Sequence, residues 1–141
     1  MTDMLIEGYA ALFGVADLSG DVIRAGAFAR SLQGGAGRPM LFQHGQGKIA
    51  GRWSRIIEDQ RGLYVRGLIE DETAWGKAAM TLALGGRLDG LSIGFHARRW
   101  RPRSEGGRDL LEVDLVEISL VASPMAQGAR FVVMADQLLA A

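Results

Sequence analysis

Cysteine is absent from the 141 residues, which removes disulfides, thiolate catalysis and Cys-based zinc sites together and fits a reducing compartment. Net charge is absent too. Sixteen Lys and Arg balance sixteen Asp and Glu, so the chain as a whole has no electrostatic reason to seek nucleic acid or an anionic membrane. No stretch approaches the roughly 20 apolar residues of a membrane span. The N-terminus carries no basic segment followed by an apolar run, so a chain kept inside the cell that makes it is expected. No Pro-, Ser- or charge-rich stretch is long enough for a linker, and a single domain over residues 1–141 is expected.

What is present fits a globular domain. Hydrophobic residues make up 48% and charged residues 23%, enough for a core and too few charges for disorder. Twenty glycines favour many tight turns and short strands over a helical bundle. Strands are expected over Leu5–Phe13, Pro39–Phe42, Ile49–Glu58, Leu63–Glu70, Leu91–Trp100, Leu110–Val121 and Arg130–Met134. Asp59-Gln60-Arg61-Gly62 reads as a hairpin connection. The alternation in Leu110–Val121 shifts near Val116-Glu117, which signals a bulge. Trp75, Ala78, Ala79 and Leu82 recur at helical spacing between Thr73 and Gly85-Gly86, predicting a helix over Ala74–Leu84. A shorter segment from Gly26 to Leu32 has room for two helical turns.

These elements follow one another mostly through turns, without a helical crossover between strands. A mainly β fold with one or two flanking helices is therefore expected, arranged as an antiparallel closed β-barrel.

Gly90-Leu91-Ser92-Ile93-Gly94 satisfies G-x-S-x-G, the pattern of the strand-to-helix nucleophile elbow in α/β-hydrolases. The context refuses that reading. Phe95 to Trp100 is strand-like, and no histidine stands well downstream as the order of that triad requires. A serine hydroxyl still needs a base, and imidazole, with an unperturbed pKa of about 6.5, suits the task. Of the two histidines, His96 stands four positions along the same strand, roughly 13 Å from Ser92 at ~3.3 Å per residue. His44, directly after a short strand and among glycines, is the better candidate. A zinc site built on the two histidines lacks any His-x-x-x-His or His-Glu-x-x-His spacing.

Several short pieces then recur in order along nearly the whole chain: Gly8-Tyr9-Ala10, Gly20-Asp21-Val22-Ile23 with Gly26-Ala27-Phe28, Gln43-His44, Gly51-Arg52 and Gly62-Leu63. Leu91-Ser92-Ile93-Gly94-Phe95 follows, then Glu117-Ile118-Ser119-Leu120-Val121 with Ser123-Pro124. Together they resemble the prohead maturation proteases of tailed bacteriophages, a family distantly similar to the herpesvirus capsid maturation proteases. Those are β-barrels ringed by helices that use a serine with histidines.

The resemblance implies a serine endopeptidase with Ser92 as nucleophile, His44 as general base and Glu117 at the family's acidic position. Glu112 and Asp114 stand nearby as competitors for that third role, and Ser119, inside an apolar run, reads as buried. No cofactor or metal is implied. The implied partner is the major capsid protein with its scaffold segment, cut inside the immature capsid in the bacterial host cytoplasm. Self-cleavage and a homodimer are further implications. The chain ends soon after its last expected strand, so the C-terminal extension that some members of the family carry is expected to be reduced or absent. The alternative is a catalytically inactive module that binds capsid or scaffold protein. Phage, prophage and gene transfer particle are equally compatible origins.

Overall fold

The computed structural model describes residues 2–35 and 37–134. In chain order the elements are β1 (Met4–Leu12), β2 (Val22–Ile23), α1 (Ala29–Gln33), β3 (Pro39–Phe42) and β4 (Ile49–Glu58). They continue as β5 (Gly62–Ile69), α2 (Ala74–Leu84), β6 (Gly90–Pro102), β7 (Arg108–Val121) and β8 (Phe131–Val133). All eight strands belong to one sheet, ordered β2-β7-β3-β4-β5-β1-β8, with β6 paired to β7 outside that path.

The local reasons are visible in the residues. In β5 the inward positions Leu63, Val65 and Ile69 are fully buried, while Tyr64, Arg66 and Leu68 between them are half-buried. The β4–β5 turn closes because the Asp59 carboxylate accepts from the Arg61 and Gly62 amides at 2.8 and 3.1 Å. Thr73 caps α2: its hydroxyl accepts from the Gly76 amide at 2.8 Å, satisfying one of the donors that every helix start leaves open. The shorter helix, α1, is one turn long and stops before Gly34. Ile6, Phe28, Met80, Leu91, Leu110, Ile118 and Leu120 meet in one core. Each contributes about 1.5–3 kcal/mol by leaving water.

Two expectations about the sheet need correction. The barrel is not closed: β6 and β8 meet only at the isolated Gly90↔Arg130 bridge and its flanking bonds, Leu91 N–H to Ala129 O and Phe131 N–H to Asp89 O. A three-residue β8 entered from the Ser123-Pro124 loop is too short to ladder along the rest of β6. Nor is the sheet wholly antiparallel, since β7 pairs in parallel with β2 and with β3. The chain between β3 and β7 runs through β4, β5, α2 and β6, so that whole segment is the crossover a parallel pair requires. The expected tail beyond Met134 lies outside the described residues.

Candidate active site

Three adjacent strands converge on one place. β6 carries Ser92, β7 carries Glu117 and Ser119, and the turn leaving β3 carries His44. Ser92 lies directly opposite Ser119, and Gly94 directly opposite Glu117, in the β6–β7 register. Directly opposed residues share a face of the sheet, so all four positions look the same way. The bulge foreseen near Val116 sets this up: Gly94 pairs with Glu117 but Phe95 with Leu115, leaving Val116 as the extra residue, exposed to solvent. Beyond the bulge Glu117 turns inward and is 8% exposed.

His44 sits in a strained turn. Gln43 and His44 have φ of 53° and 61°, the left-handed region that costs a non-glycine residue on the order of 1 kcal/mol or more. The turn is held to the end of β7 and across itself. The Gln43 amide donates to Leu120 O at 2.9 Å, the Gln43 side-chain oxygen accepts from the Ala122 amide at 3.2 Å, and the Gly45 amide donates to Phe42 O at 2.9 Å. The His44 amide donates to the Ser119 hydroxyl at 3.1 Å. From α2, Trp75 stacks on Phe42 at 5.4 Å between ring centres and lies under the Lys48 ammonium at 4.7 Å, bracing both ends of the turn.

The imidazole is oriented by a carboxylate. His44 Nδ1 lies 2.6 Å from Glu117 Oε2, and Glu117 Oε1 accepts from the Ser119 hydroxyl at 2.9 Å. An ionised carboxylate can only accept, so this geometry puts the ring proton on Nδ1 and leaves a lone pair on Nε2. Such an imidazole can take a proton from a hydroxyl, and the carboxylate stabilises the imidazolium that results. Ser92 and His44 border the same cavity, of about 300 Å³. Its walls are mainly apolar, with Ala11, Ile23, Leu91, Phe95 and Met125 among them. Asp17, Asp21 and Arg108 also line it. There Arg108 grips Asp21 with its amide at 2.9 Å and a guanidinium nitrogen at 2.8 Å, and these bonds hold the Asp21 carboxyl below its usual pKa.

The G-x-S-x-G pattern has a cause other than an elbow. A Cβ on Gly90 would stand 2.7 Å from Val121 O, and one on Gly94 would stand 2.8 Å from Glu117 Oε2. Both glycines make room for β7 on a continuous strand, one for its backbone and the other for the carboxylate beside His44.

The competing residues are placed elsewhere. Asp114 pairs with Arg98 at 3.3 Å and Glu112 approaches Arg30 at 3.8 Å. His96 is exposed opposite Asp114 and does not line the cavity. Sequence reasoning missed the part of Ser119, which is wholly buried yet bonded to both His44 and Glu117. The signal was available: Glu117-x-Ser119 on a strand puts both side chains on one face.

The mainly β sheet with its flanking helices has a herpesvirus-protease-like fold. A Kaposi's sarcoma herpesvirus (KSHV) protease in complex with a hexapeptide phosphonate inhibitor superposes with a TM-score of 0.60 at 15% identity, covering 94% of this chain and 65% of that one. The varicella-zoster virus protease does so with a TM-score of 0.60 at 16% identity, covering 95% and 65%. The family model described as caudovirus prohead serine protease matches residues 1–140, and the chain belongs to that family. The prohead protease of Enterobacteria phage HK97 is 36% identical over 94 residues, 64% of this chain and 41% of the phage protein. The match thus spans about two fifths of that relative's length.

Proposed function

We propose that the chain is a serine endopeptidase of phage-type capsid maturation, with Ser92 as nucleophile, His44 as general base and Glu117 as the carboxylate behind it. The observation that carries this reading is the 2.6 Å contact between Glu117 Oε2 and His44 Nδ1, on a histidine that shares a cavity with Ser92. His44 Nε2 takes the Ser92 proton as Oγ attacks the scissile carbonyl. The tetrahedral intermediate collapses, His44 delivers the proton to the leaving amine, and water then hydrolyses the acyl-enzyme by the same route. Nothing in these steps calls for a metal or an organic cofactor.

The substrate on this reading is the scaffold segment of a major capsid protein, an N-terminal extension, removed inside the immature capsid in the host cytoplasm. Family membership supports this place and partner; the chain itself, or a second copy of it, is a further substrate. The rival reading, a binding module that does not cut, leaves unexplained why a strained His44 is held against a buried carboxylate. Co-expression of the capsid protein with wild-type chain or Ser92→Ala, followed by peptide mass mapping, separates the two. Wild type should yield a shortened capsid protein and Ser92→Ala the full-length one. Equal processing by both would sink the assignment.

A further inference from the structure

Ser119 is a buried hydroxyl whose two hydrogen-bond partners both belong to the site. It is 0% exposed and lies opposite Ser92 on the neighbouring strand. A buried serine can be satisfied by any nearby main-chain carbonyl. This one instead donates its single proton to Glu117 Oε1 at 2.9 Å and accepts the His44 amide at 3.1 Å.

We propose that Ser119 is a positioning residue of the protease: it clamps the carboxylate that orients His44 and the backbone that carries it. This rests on the reading of Ser92, His44 and Glu117 as the reacting groups. With Oε1 tied to Ser119 and Oε2 to His44 Nδ1, rotation of the carboxylate about its last bond breaks two hydrogen bonds at once. Neither oxygen is then free to swing away from the imidazole. The second bond acts on the main chain. His44 has a φ of 61°, and its amide hydrogen bond to Ser119 helps hold it in that strained conformation. One hydroxyl therefore fixes both the position and the tautomer of the base. Ser119 cannot itself serve as a rival nucleophile, because its proton is committed to Glu117 and no solvent reaches it.

Removing the hydroxyl leaves Glu117 Oε1 without its donor and the His44 amide without its acceptor, so the base loses alignment while the cavity walls stay in place. Ser119 is not among the residues lining that cavity, so binding of a small probe should not change. The test uses inactivation by an aryl fluorophosphonate, in which Ser92 Oγ bonds to phosphorus, fluoride leaves and His44 takes the proton. Wild type, Ser119→Ala, Ser119→Cys and Ser92→Ala are compared by the limiting rate kinact and the half-saturating concentration KI. Adduct mapping, thermal melts and the proton resonance of His44 Nδ1–H accompany them.

Wild type should be labelled at Ser92. Ser119→Ala should lower kinact by about tenfold to a hundredfold, the scale of a base displaced by a fraction of an ångström to an ångström, with KI unchanged. Ser119→Cys, close in size and a weaker donor, should fall between, and the Nδ1–H resonance should broaden in the order wild type, Cys, Ala. A Ser119→Ala chain with wild-type kinact overturns the proposal. So does a loss of kinact that only follows the folded fraction while the His44 resonance keeps its position. Should Ser119→Ala fail to fold, Ser119→Cys decides alone: wild-type kinact and an unchanged resonance overturn the idea, a lowered kinact in a folded chain supports it. Failure of wild type to be labelled at Ser92 overturns the underlying site assignment, and the clamp with it.

Discussion

Replacing Gly94 by alanine separates geometry at the site from stability of the fold. The new Cβ would stand 2.8 Å from both Glu117 Cγ and Glu117 Oε2, and 2.9 Å from Cδ. Ordinary contact begins near 3.4 Å, so the carboxylate must retreat by about 0.6 Å. What blocks the methyl is the Glu117 side chain, not backbone, so the strand can stay paired while the buried, doubly hydrogen-bonded carboxylate is pushed off its position. Gly94 is also not among the glycines that need a positive φ, and alanine suits its extended backbone. The displaced atom is the oxygen that meets His44 Nδ1 at 2.6 Å, a contact that tolerates little lengthening before it stops being a strong hydrogen bond. Gly94→Ala should therefore lose about 1–3 kcal/mol of stability, the usual cost of overpacking, and remain folded. Its kcat/KM should fall by roughly ten- to a hundredfold, about 1.4–2.7 kcal/mol of transition-state stabilisation. Turnover of a peptide spanning the mapped capsid cleavage site, alongside a denaturant melt, reads both quantities. A folded Gly94→Ala enzyme with wild-type kcat/KM would refute the reasoning that Glu117 acts on His44.

Three further outcomes follow from the same geometry. Glu117→Gln should slow turnover without abolishing it, whereas Asp114→Asn, which faces Arg98, should leave turnover unchanged; the reverse ranking in a peptide assay would move the third role to Asp114. Asp21→Asn should flatten the acid end of the stability profile. Arg108 depresses the Asp21 pKa in the folded state, so the pair stabilises the fold above the unfolded value of about 3.9 and loses that stabilisation as pH falls through the lower folded value. Urea melts across that window should show a shallower pH slope in the variant, and an unchanged slope would remove Asp21 from the account. Trp75→Ala should cost about 1–2 kcal/mol by removing the Phe42 stack and the Lys48 contact, and should lower kcat by loosening the turn that bears His44. Lost stability with wild-type kcat would show that α2 does not brace that turn.

Local chemistry made much of the fold legible in advance. The Ala74–Leu84 helix, the Pro39–Phe42 strand, the Asp59 turn and the bulge at Val116 all follow from caps, turn residues or broken alternation. The long-range features did not follow. That β3 lies beside β7 in parallel, rather than only beside its sequence neighbour β4, depends on closing a long loop of chain, and no short window of residues encodes that choice. The open edge between β6 and β8 is a matter of where the loop between Val121 and Phe131 lets the chain re-enter the sheet. At the site, Ser92, His44 and Glu117 were recognisable as types of residue in a familiar order. Their mutual geometry was not, because it comes from the pairing of β6, β7 and β3. Ser119 was visible only as a buried polar position within an apolar run. One partner, Glu117, stands two residues away on the same strand, but the other, His44, is 75 residues away in sequence and is brought there by the β3–β7 pairing.

The central claim is that His44, held by Glu117, activates Ser92. A peptide phosphonate, whose phosphorus is attacked by an activated serine hydroxyl, is the direct probe of that claim. Intact-mass and peptide mapping of the treated wild type, His44→Ala and Ser92→Ala chains is the decisive measurement. A single adduct on Ser92 in wild type, greatly slowed in His44→Ala and absent in Ser92→Ala, is predicted. An adduct on another residue, or equal labelling of Ser92 with and without His44, would contradict the account.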